Sequence, residues 1–473
     1  MDRDAASGPS TPTDRPGPAT LFADALPAAR VLTGPAVGDE YSHDETLSAH
    51  PQQPQAVLLP ESTEEVAAVL AAANRHRVPV TARGAGSGLS GAAIPDHDGV
   101  VLSFERMSAI LEIDPENAVA VVEPGVRLHE LDDALAPHGL FYPVRPGEES
   151  ATVGGTVATN AAGMRAVRYG VTRNHVLGLE LVLAGGEVLR TGGKFVKVSS
   201  GYDLTQLVIG SEGTLALVTR VWLKLSRRPA NTSTVLAPFH DLREVTAAIP
   251  PILAAGLDPL ILEYVDLLTM AGMVSRAGID LGVPDEIRER ALAYLVVQLD
   301  GEHPERVEQD TVALGGLLTS ELGAMDAYVL PGETAAKLIT AREQAFYSAK
   351  EAGFHDLIDV VVPRAALPDY VERVGEIARE HDSHVVGCGH AGDGNVHMSV
   401  HQPDPEVRER VMGALLRAGL EFGGAISGEH GIGRHKRPWF QALTDPVALR
   451  LMHGVKETFD PHGILNPGAI LEA

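Results

Sequence analysis

The chain has 473 residues, which at about 150 residues per domain means two or three domains and cores large enough to fold without disulfide staples. With 63 acidic against 38 basic side chains the net charge is −25, and no segment carries a dense basic run, which argues against a general nucleic-acid or anionic-membrane binder. Cys388 is the one cysteine, so no internal disulfide can form, and no apolar run approaches the ~18 residues of a membrane span; a soluble cytoplasmic protein is the expectation.

The first twenty residues, rich in Pro, Ser, Thr, Gly, Asp and Arg, lack the charged start and apolar run of a signal peptide and read as a disordered tail. Residues 1–50 are taken as tail and lead-in, with structure starting near Gln55. A short apolar strand at 56–59 closes on Pro60, and Ser62 with Glu65 three residues on forms a capping box. In the helix that follows, Val66, Val69, Leu70 and Ala73 fall on one face, and 78–82 reads as a second strand, making a β-α-β unit.

Directly after that strand, residues 83–91 place Gly84, Gly86, Gly88 and Gly91 in a run that presents backbone N–H groups with few side chains in the way, which suits phosphate. Gly86-x-Gly88-x-x-Gly91 matches the dinucleotide fingerprint in form, but Pro95 and Gly99 oppose the helix that fingerprint requires before the next strand at Val100. The loop therefore joins strands; a glycine-rich turn without a ligand is the alternative reading.

A strand at 119–122, a helix at 128–135 and a second small-residue segment, 146–163, come next. Small residues over that length let backbone approach a flat ligand, with Ser150, Thr152 and Asn160 able to hydrogen-bond at its edge; tight internal packing is the competing explanation. Two such segments in one domain favour a large phosphate-bearing cofactor. Strands follow at 177–183 and 215–223, and after Arg228-Pro229 the pattern turns to longer helices with strands at 261–265 and 294–299. The boundary is set there: a cofactor domain at 51–228, a second domain at 229–455 and a C-terminal segment at 456–473.

Two stretches near the C-terminus carry the densest chemistry, 389–397 with His390 and His397, and 427–434 with Glu429 and His430. Two imidazoles flanking a Gly-Asp-Gly turn can converge on one point, and Glu429 completes a His/His/Glu set that favours catalytic zinc with an open position for substrate. His430, beside Glu429, is placed as a base. Arg342 offers a fork for a substrate carboxylate, or is a solvated helix arginine; Cys388 is a fourth ligand or a small buried residue, the latter preferred.

Taken in order, 83–91, 154–160 with Gly163, Gly201-Tyr-Asp-Leu204, Gly210-Ser-Glu-Gly213, 389–397, 427–433 and Asn466-Pro-Gly468 resemble the FAD-linked oxidases with a vanillyl-alcohol-oxidase type of flavin domain. The resemblance is to the branch of D-2-hydroxy-acid dehydrogenases that includes D-lactate, glycolate and D-2-hydroxyglutarate dehydrogenases. It implies an α+β fold: a two-subdomain FAD-binding module plus an antiparallel-sheet α+β cap domain carrying metal and substrate. It also implies pyrophosphate contacts from Gly84, Ala85, Gly86, Ser87, Gly88 and Leu89. Flavin contacts would come from Pro146, Ser150, Thr152, Gly155, Asn160 and Gly163, from the strand at Val218, and from a C-terminal return at Asn466.

Ser87 stands where covalent flavoproteins of this fold often carry histidine, so FAD is expected to be non-covalent. Leu357 and Ser399 stand where 2-hydroxyglutarate-oxidising members have lysine and asparagine, which favours a smaller or more apolar substrate. The implied reaction is oxidation of a D-2-hydroxy acid to the 2-oxo acid with hydride passing to FAD, Arg342 and the metal holding substrate and His430 taking the hydroxyl proton. A cytochrome, a quinone or an electron-transfer flavoprotein would re-oxidise the flavin, and a homodimer is one open oligomeric state. Rival readings are a D-2-hydroxyglutarate dehydrogenase, an electron-transfer subunit of a larger complex, and a metal-dependent hydrolase with purely structural glycine loops.

Overall fold

A computed structural model of the chain describes residues 16–472. Its first sheet contains β1 (Val31–Thr33), β2 (Ala56–Leu58), β3 (Val80–Arg83) and β4 (Val100–Ser103) in the order β1-β2-β4-β3. β2, β4 and β3 run parallel, so the β-α-β unit closes around an inserted β4, and the glycine loop crosses from β3 to β4 without a helix. The crossover helix Thr63–His76 buries Val66, Val69, Leu70 and Ala73, the face its spacing predicts, and each large aliphatic so buried stabilises by ~1.5–3 kcal/mol.

Its cap is half of the predicted box. The Glu65 N–H donates to Ser62 Oγ at 3.3 Å, but the Glu65 carboxylate turns to the Glu61 N–H at 2.7 Å and to the Arg30 guanidinium. Arg30 belongs to the lead-in, and so does β1, which pairs antiparallel with β2 while Phe22 and Leu26 join the same core. Order thus begins well before Gln55. Residues 1–15 of the expected disordered tail lie outside the described residues, while Pro18–Leu21 forms a helical turn.

The second sheet is antiparallel throughout: β5 (Ile110–Asp114), β6 (Val119–Val122), β8 (Val176–Val182), β9 (Val188–Gly192) and β10 (Leu217–Lys224), ordered β5-β6-β10-β8-β9. A short pair, β7 (Leu140–Phe141) with β11 (Ser226–Arg227), lies beside it. The small-residue segment 146–163 holds a helix the sequence did not announce, Val153–Thr159. Glycine, valine and threonine are weak helix formers. Here Thr152 Oγ1 caps the Gly155 N–H, Asn160 closes the helix at φ 54°, and buried Val153, Thr156 and Val157 hold it.

Beyond residue 230 one seven-stranded antiparallel sheet dominates. It comprises β12 (Asn231–Phe239), β13 (Ile261–Asp266), β14 (Ala293–Gly301), β15 (Tyr328–Val329), β16 (Asp356–Val361), β17 (His384–Gly389) and β18 (Asn395–His401), ordered β15-β12-β14-β13-β17-β18-β16. Alternation along β14 shows both faces covered. Leu295 and Val297 pack with the helices Pro304–Ser320, Leu367–Glu380 and Pro405–Glu421, whereas Tyr294 and Val296 pack with Leu267–Ala277 and Gly332–Glu343. Among the described residues no helix is long and apolar enough to cross a membrane.

Candidate active site

One cavity of about 480 Å³ runs between the two sheet systems, from the glycine loop to the histidine motifs. Gly84, Ala85, Gly86, Ser87, Gly88 and Leu89 form one end, and none of their six backbone N–H groups donates to a protein acceptor among the described residues. Unpaired N–H groups in succession are an anion cradle. The lead-in braces it: Arg83 Nη1 donates to the His43 carbonyl at 2.7 Å, and the Glu45 N–H donates to the Gly88 carbonyl at 2.9 Å. Gly84 and Gly86 have no room for a side chain, since a Cβ would strike Thr152 Oγ1 at the first and the Arg83 guanidinium at the second, where φ is +75°.

Pro146, Thr152, Gly155 and Val218 line the middle of the cavity. Ser150, Asn160, Gly163 and Asn466 do not line it. The Ser150 N–H donates to Glu148, Asn160 Oδ1 accepts from the Arg173 N–H, and Gly163, at φ 113°, lies so close to Arg145 that a Cβ would strike its carbonyl. Asn466 is a clamp: its Nδ2 donates to the Ala92 and Glu212 carbonyls at 2.9 and 2.8 Å, and its Oδ1 accepts from Thr81. The C-terminal segment thus pins the glycine loop to the turn at 210–213, with the Val80 N–H donating to Ile464 and the Asn466 N–H to Val80.

At the other end β18 and the turn after β17 bring His397 and His390 together, ring centroids 4.8 Å apart. Their Nε2 atoms each lie 3.1 Å from Glu429 Oε1, and one ligand atom from each of the three residues fits within 4.8 Å. His397 Nε2 is out of line for a hydrogen bond to Glu429 and has no other partner among the described residues. Bonds of about 2.0–2.2 Å to zinc set tetrahedral ligand atoms little more than 3.3 Å apart, so this buried His/His/Glu triangle fits a divalent metal after small adjustment; the donor set admits zinc, iron or manganese. Cys388 is not part of that cluster. It lines the cavity as a small buried thiol, pushed up to about 11 by burial.

Two carboxylates that sequence reading missed organise this end. Glu263 accepts from or pairs with His390 Nδ1 at 2.7 Å and lies 2.7 Å from Arg342 Nη2, so it orients both the ligand and the arginine. Burial alone would lower His390, but Glu263 and Glu429 outweigh it and push it up to about 10 without a metal. Asp359 Oδ2 accepts from the Ser427 hydroxyl at 2.7 Å and from the N–H groups of Gly428, Glu429 and His430 at 3.1, 3.1 and 2.8 Å. Burial opposes its charge, but His430, Lys436 and His397 hold it well below the usual carboxylate range. The signal was a lone acid inside an apolar strand, Glu263 in Ile-Leu-Glu-Tyr-Val and Asp359 in Leu-Ile-Asp-Val-Val.

His430 lies beside His397, with ring centroids 4.8 Å apart, and its Nδ1 is 3.8 Å from Asp359. Burial lowers it to about 4 and Asp359 offsets only part of that, so the imidazole is neutral at pH 7 and able to accept a proton. Arg342, in the last turn of Gly332–Glu343, is buried and lines the cavity; its Nη2 is ion-paired with Glu263, and its Nε has no partner among the described residues. It is not a solvated arginine.

The loop bearing Glu429 and His430 is tied to the first domain at three points. Ser90 Oγ donates to the His430 and Gly431 carbonyls, Glu212 accepts from the Ile432 and Gly433 N–H groups at 2.7 and 2.8 Å, and the Ala162 N–H donates to Glu429 Oε2 at 3.0 Å. Cradle and histidine cluster are thus held in one frame.

Residues 54–192 match the FAD binding domain, and residues 228–470 match the C-terminal domain of FAD linked oxidases. The chain belongs to the FAD-linked oxidase family. An uncharacterised FAD-linked oxidoreductase of Mycobacterium tuberculosis strain H37Rv is 53% identical over 95% of this chain and 98% of its own. A D-lactate dehydrogenase of Anaerostipes hadrus is 38% identical, covering 93% and 94% of the two chains. Other relatives carry the names glycolate oxidase subunit and D-2-hydroxyglutarate dehydrogenase. The fold is that of a 4-ethylphenol oxidase from Gulosibacter chungangensis, with TM-score 0.75 at 20% identity over 95% of each chain. The chain is therefore an FAD-linked oxidoreductase of the vanillyl-alcohol-oxidase fold, and FAD is the group the cradle fits, which leaves the hydrolase reading without support.

Proposed function

We propose that this chain is an FAD-dependent dehydrogenase that oxidises a D-2-hydroxy acid, of the D-lactate or glycolate kind, to the 2-oxo acid. The observation that carries this reading is the sharing of one cavity by the cradle at 84–89, the His390/His397/Glu429 triangle, neutral His430 and the guanidinium of Arg342 with its open Nε donor.

Non-covalent FAD would be held by the N–H groups of 84–89, with Pro146, Thr152, Gly155 and Val218 along its length. When bound it supplies the acceptor for the hydride from C2. A divalent metal, zinc by ligand preference, would be held by His390, His397 and Glu429 and would make the C2 hydroxyl more acidic. Arg342 takes the substrate carboxylate with its Nε donor, and Glu263, paired with Nη2 at 2.7 Å, keeps the guanidinium from swinging away. His430 receives the hydroxyl proton. Asp359, which fixes the His430 backbone and faces its ring, stabilises the imidazolium that results.

The test is an anaerobic titration of the purified flavoprotein with D-lactate and then glycolate. Loss of the oxidised flavin spectrum with either acid is the expected result, and a flavin that no 2-hydroxy acid bleaches would end the proposal.

A further inference from the structure

Of the four basic side chains at 434–437, three have partners elsewhere: Arg434 donates to the Ile94 carbonyl, His435 pairs with Asp356, and Arg437 donates to the Gly468 carbonyl. Lys436 turns inward. It is 1% exposed, and among the described residues its Nζ finds no hydrogen-bond acceptor; the carboxylate within reach is Asp359, with Oδ2 at 3.6 Å. Asp359 is itself fully buried. An ammonium taken out of water is costly unless an opposite charge answers it, so the two side chains form one neutral unit in which neither can be removed alone without harm.

The pair closes a segment of chain on itself. Asp359 Oδ2 accepts from the Ser427 hydroxyl and from the N–H groups of 428–430, and Lys436 returns to the same oxygen after a turn in which its own N–H donates to the Ile432 carbonyl at 3.0 Å. That oxygen lies 3.8 Å from His430 Nδ1, too far for a hydrogen bond, so it serves the loop backbone and not the ring. Oδ1 is taken by the Asn395 amide at 2.9 Å. Asp359, His397 and His430 together are a set that could hold a metal, but His397 already turns Nε2 to Glu429, and Lys436 supplies a cation at Asp359 without one. Lys436 is not among the described residues that line the cavity, so it touches neither flavin nor substrate.

We propose that Lys436 is a positioning residue for the base: its ammonium holds Asp359 Oδ2 on the backbone of 427–430, keeps that carboxylate from closing on the His430 ring, and so leaves the imidazole free to face the substrate hydroxyl. The proposal rests on the hydroxy-acid reading above and adds a residue to its proton-transfer step. With a neutral side chain at 436, Oδ2 swings from the N–H groups to Nδ1. The ring then tilts away from the cavity, and the loop loses its acceptor.

The experiment compares the flavin-loaded wild type with Lys436→Met, Asp359→Asn and the double variant. Anaerobic reduction by D-lactate or glycolate separates the reduction rate constant from the apparent Kd. Hydrogen exchange of the amides at 428–430, read without substrate, reports the loop independently of turnover. Lys436→Met should lower the reduction rate constant about 10- to 100-fold, with the apparent Kd changed less than about twofold. Exchange at 428–430 should quicken about tenfold, with the helix Thr63–His76 unchanged. Because both changes act through one carboxylate, the double variant should reduce no more slowly than Asp359→Asn alone.

A wild-type rate constant or wild-type exchange in Lys436→Met overturns the proposal, and so do losses that multiply in the double variant. Should Lys436→Met not yield folded flavoprotein, the double variant decides. Its recovery is the expected result, since no buried charge is left alone, and its failure to fold as well overturns the proposal. If neither acid bleaches the wild-type flavin, it is the dehydrogenase reading that falls, and exchange at 428–430 still decides whether Lys436 holds Asp359 on the loop.

Discussion

The two ends of the cavity solve binding by opposite means. At the glycine end the recognition groups are backbone N–H donors, and the side chains' contribution is their absence at Gly84 and Gly86. At the histidine end everything depends on side-chain charge in a buried network: Glu263 behind His390 and Arg342, Asp359 behind His430, Glu429 between the two imidazoles. A backbone cradle is damaged by adding atoms, whereas a charge network is damaged by removing one partner, because the other is left buried and uncompensated. The same cavity should therefore fail in two distinguishable ways.

The largest effect is expected at the histidine end. His430→Ala should lower the rate constant for flavin reduction ~10²- to 10⁴-fold while the visible spectrum shows FAD still bound; full turnover in that variant would remove His430 as the base. Gly84→Val is the mirror experiment. Its side chain must push against Thr152 at an overpacking cost of ~1–3 kcal/mol, so FAD affinity should fall about 5- to 150-fold with the metal content of the isolated protein unchanged. Joint loss of both would show that the two ends do not fail separately.

Glu263→Gln keeps the size of the side chain but removes the charge behind both His390 and Arg342. Metal content by elemental analysis or activity should drop about 10- to 100-fold with flavin retained.

The smallest effect is a pH dependence. His430 is held at about 4 rather than the ordinary 6.5, so in the window between those values the unfolded chain takes up a proton that the folded one refuses. The stability associated with this group is present above that window and is lost as pH falls through it. Catalysis responds differently, because the base form persists: reduction rates should change less than about twofold between pH 7 and 5.5, where an unperturbed histidine would lose about tenfold. A tenfold drop would place the base elsewhere.

How much of this was legible in the sequence follows the same division. Both glycine-rich segments and the His390, His397, Glu429 and His430 motifs were readable because each recognition unit is contiguous in the chain. Glu263 and Asp359 were not, because their partners lie far away in sequence: Glu263 meets a histidine 127 residues on, and Asp359 holds an N–H 71 residues on. The helix Val153–Thr159 escaped notice because its stability comes from the Thr152 cap and from burial rather than from propensity. Asn466 is expected from the sequence as a cofactor contact; in the structure its hydrogen bonds tie Val80 and Thr81 on β3 to the loops at Ala92 and Glu212. The lead-in was underestimated for a related reason: His43 and Glu45 brace the cradle through backbone groups, which leave no residue-type signature.

The central claim is that the cradle and the charged cluster act on one substrate, whose C2 hydrogen leaves as hydride while His430 takes the hydroxyl proton. The most direct measurement is an anaerobic single turnover of the flavin-loaded enzyme with a D-2-hydroxy acid carrying hydrogen or deuterium at C2, followed by flavin absorbance. The account predicts bleaching that deuterium slows severalfold. A flavin spectrum that stays oxidised with every D-2-hydroxy acid supplied would contradict it.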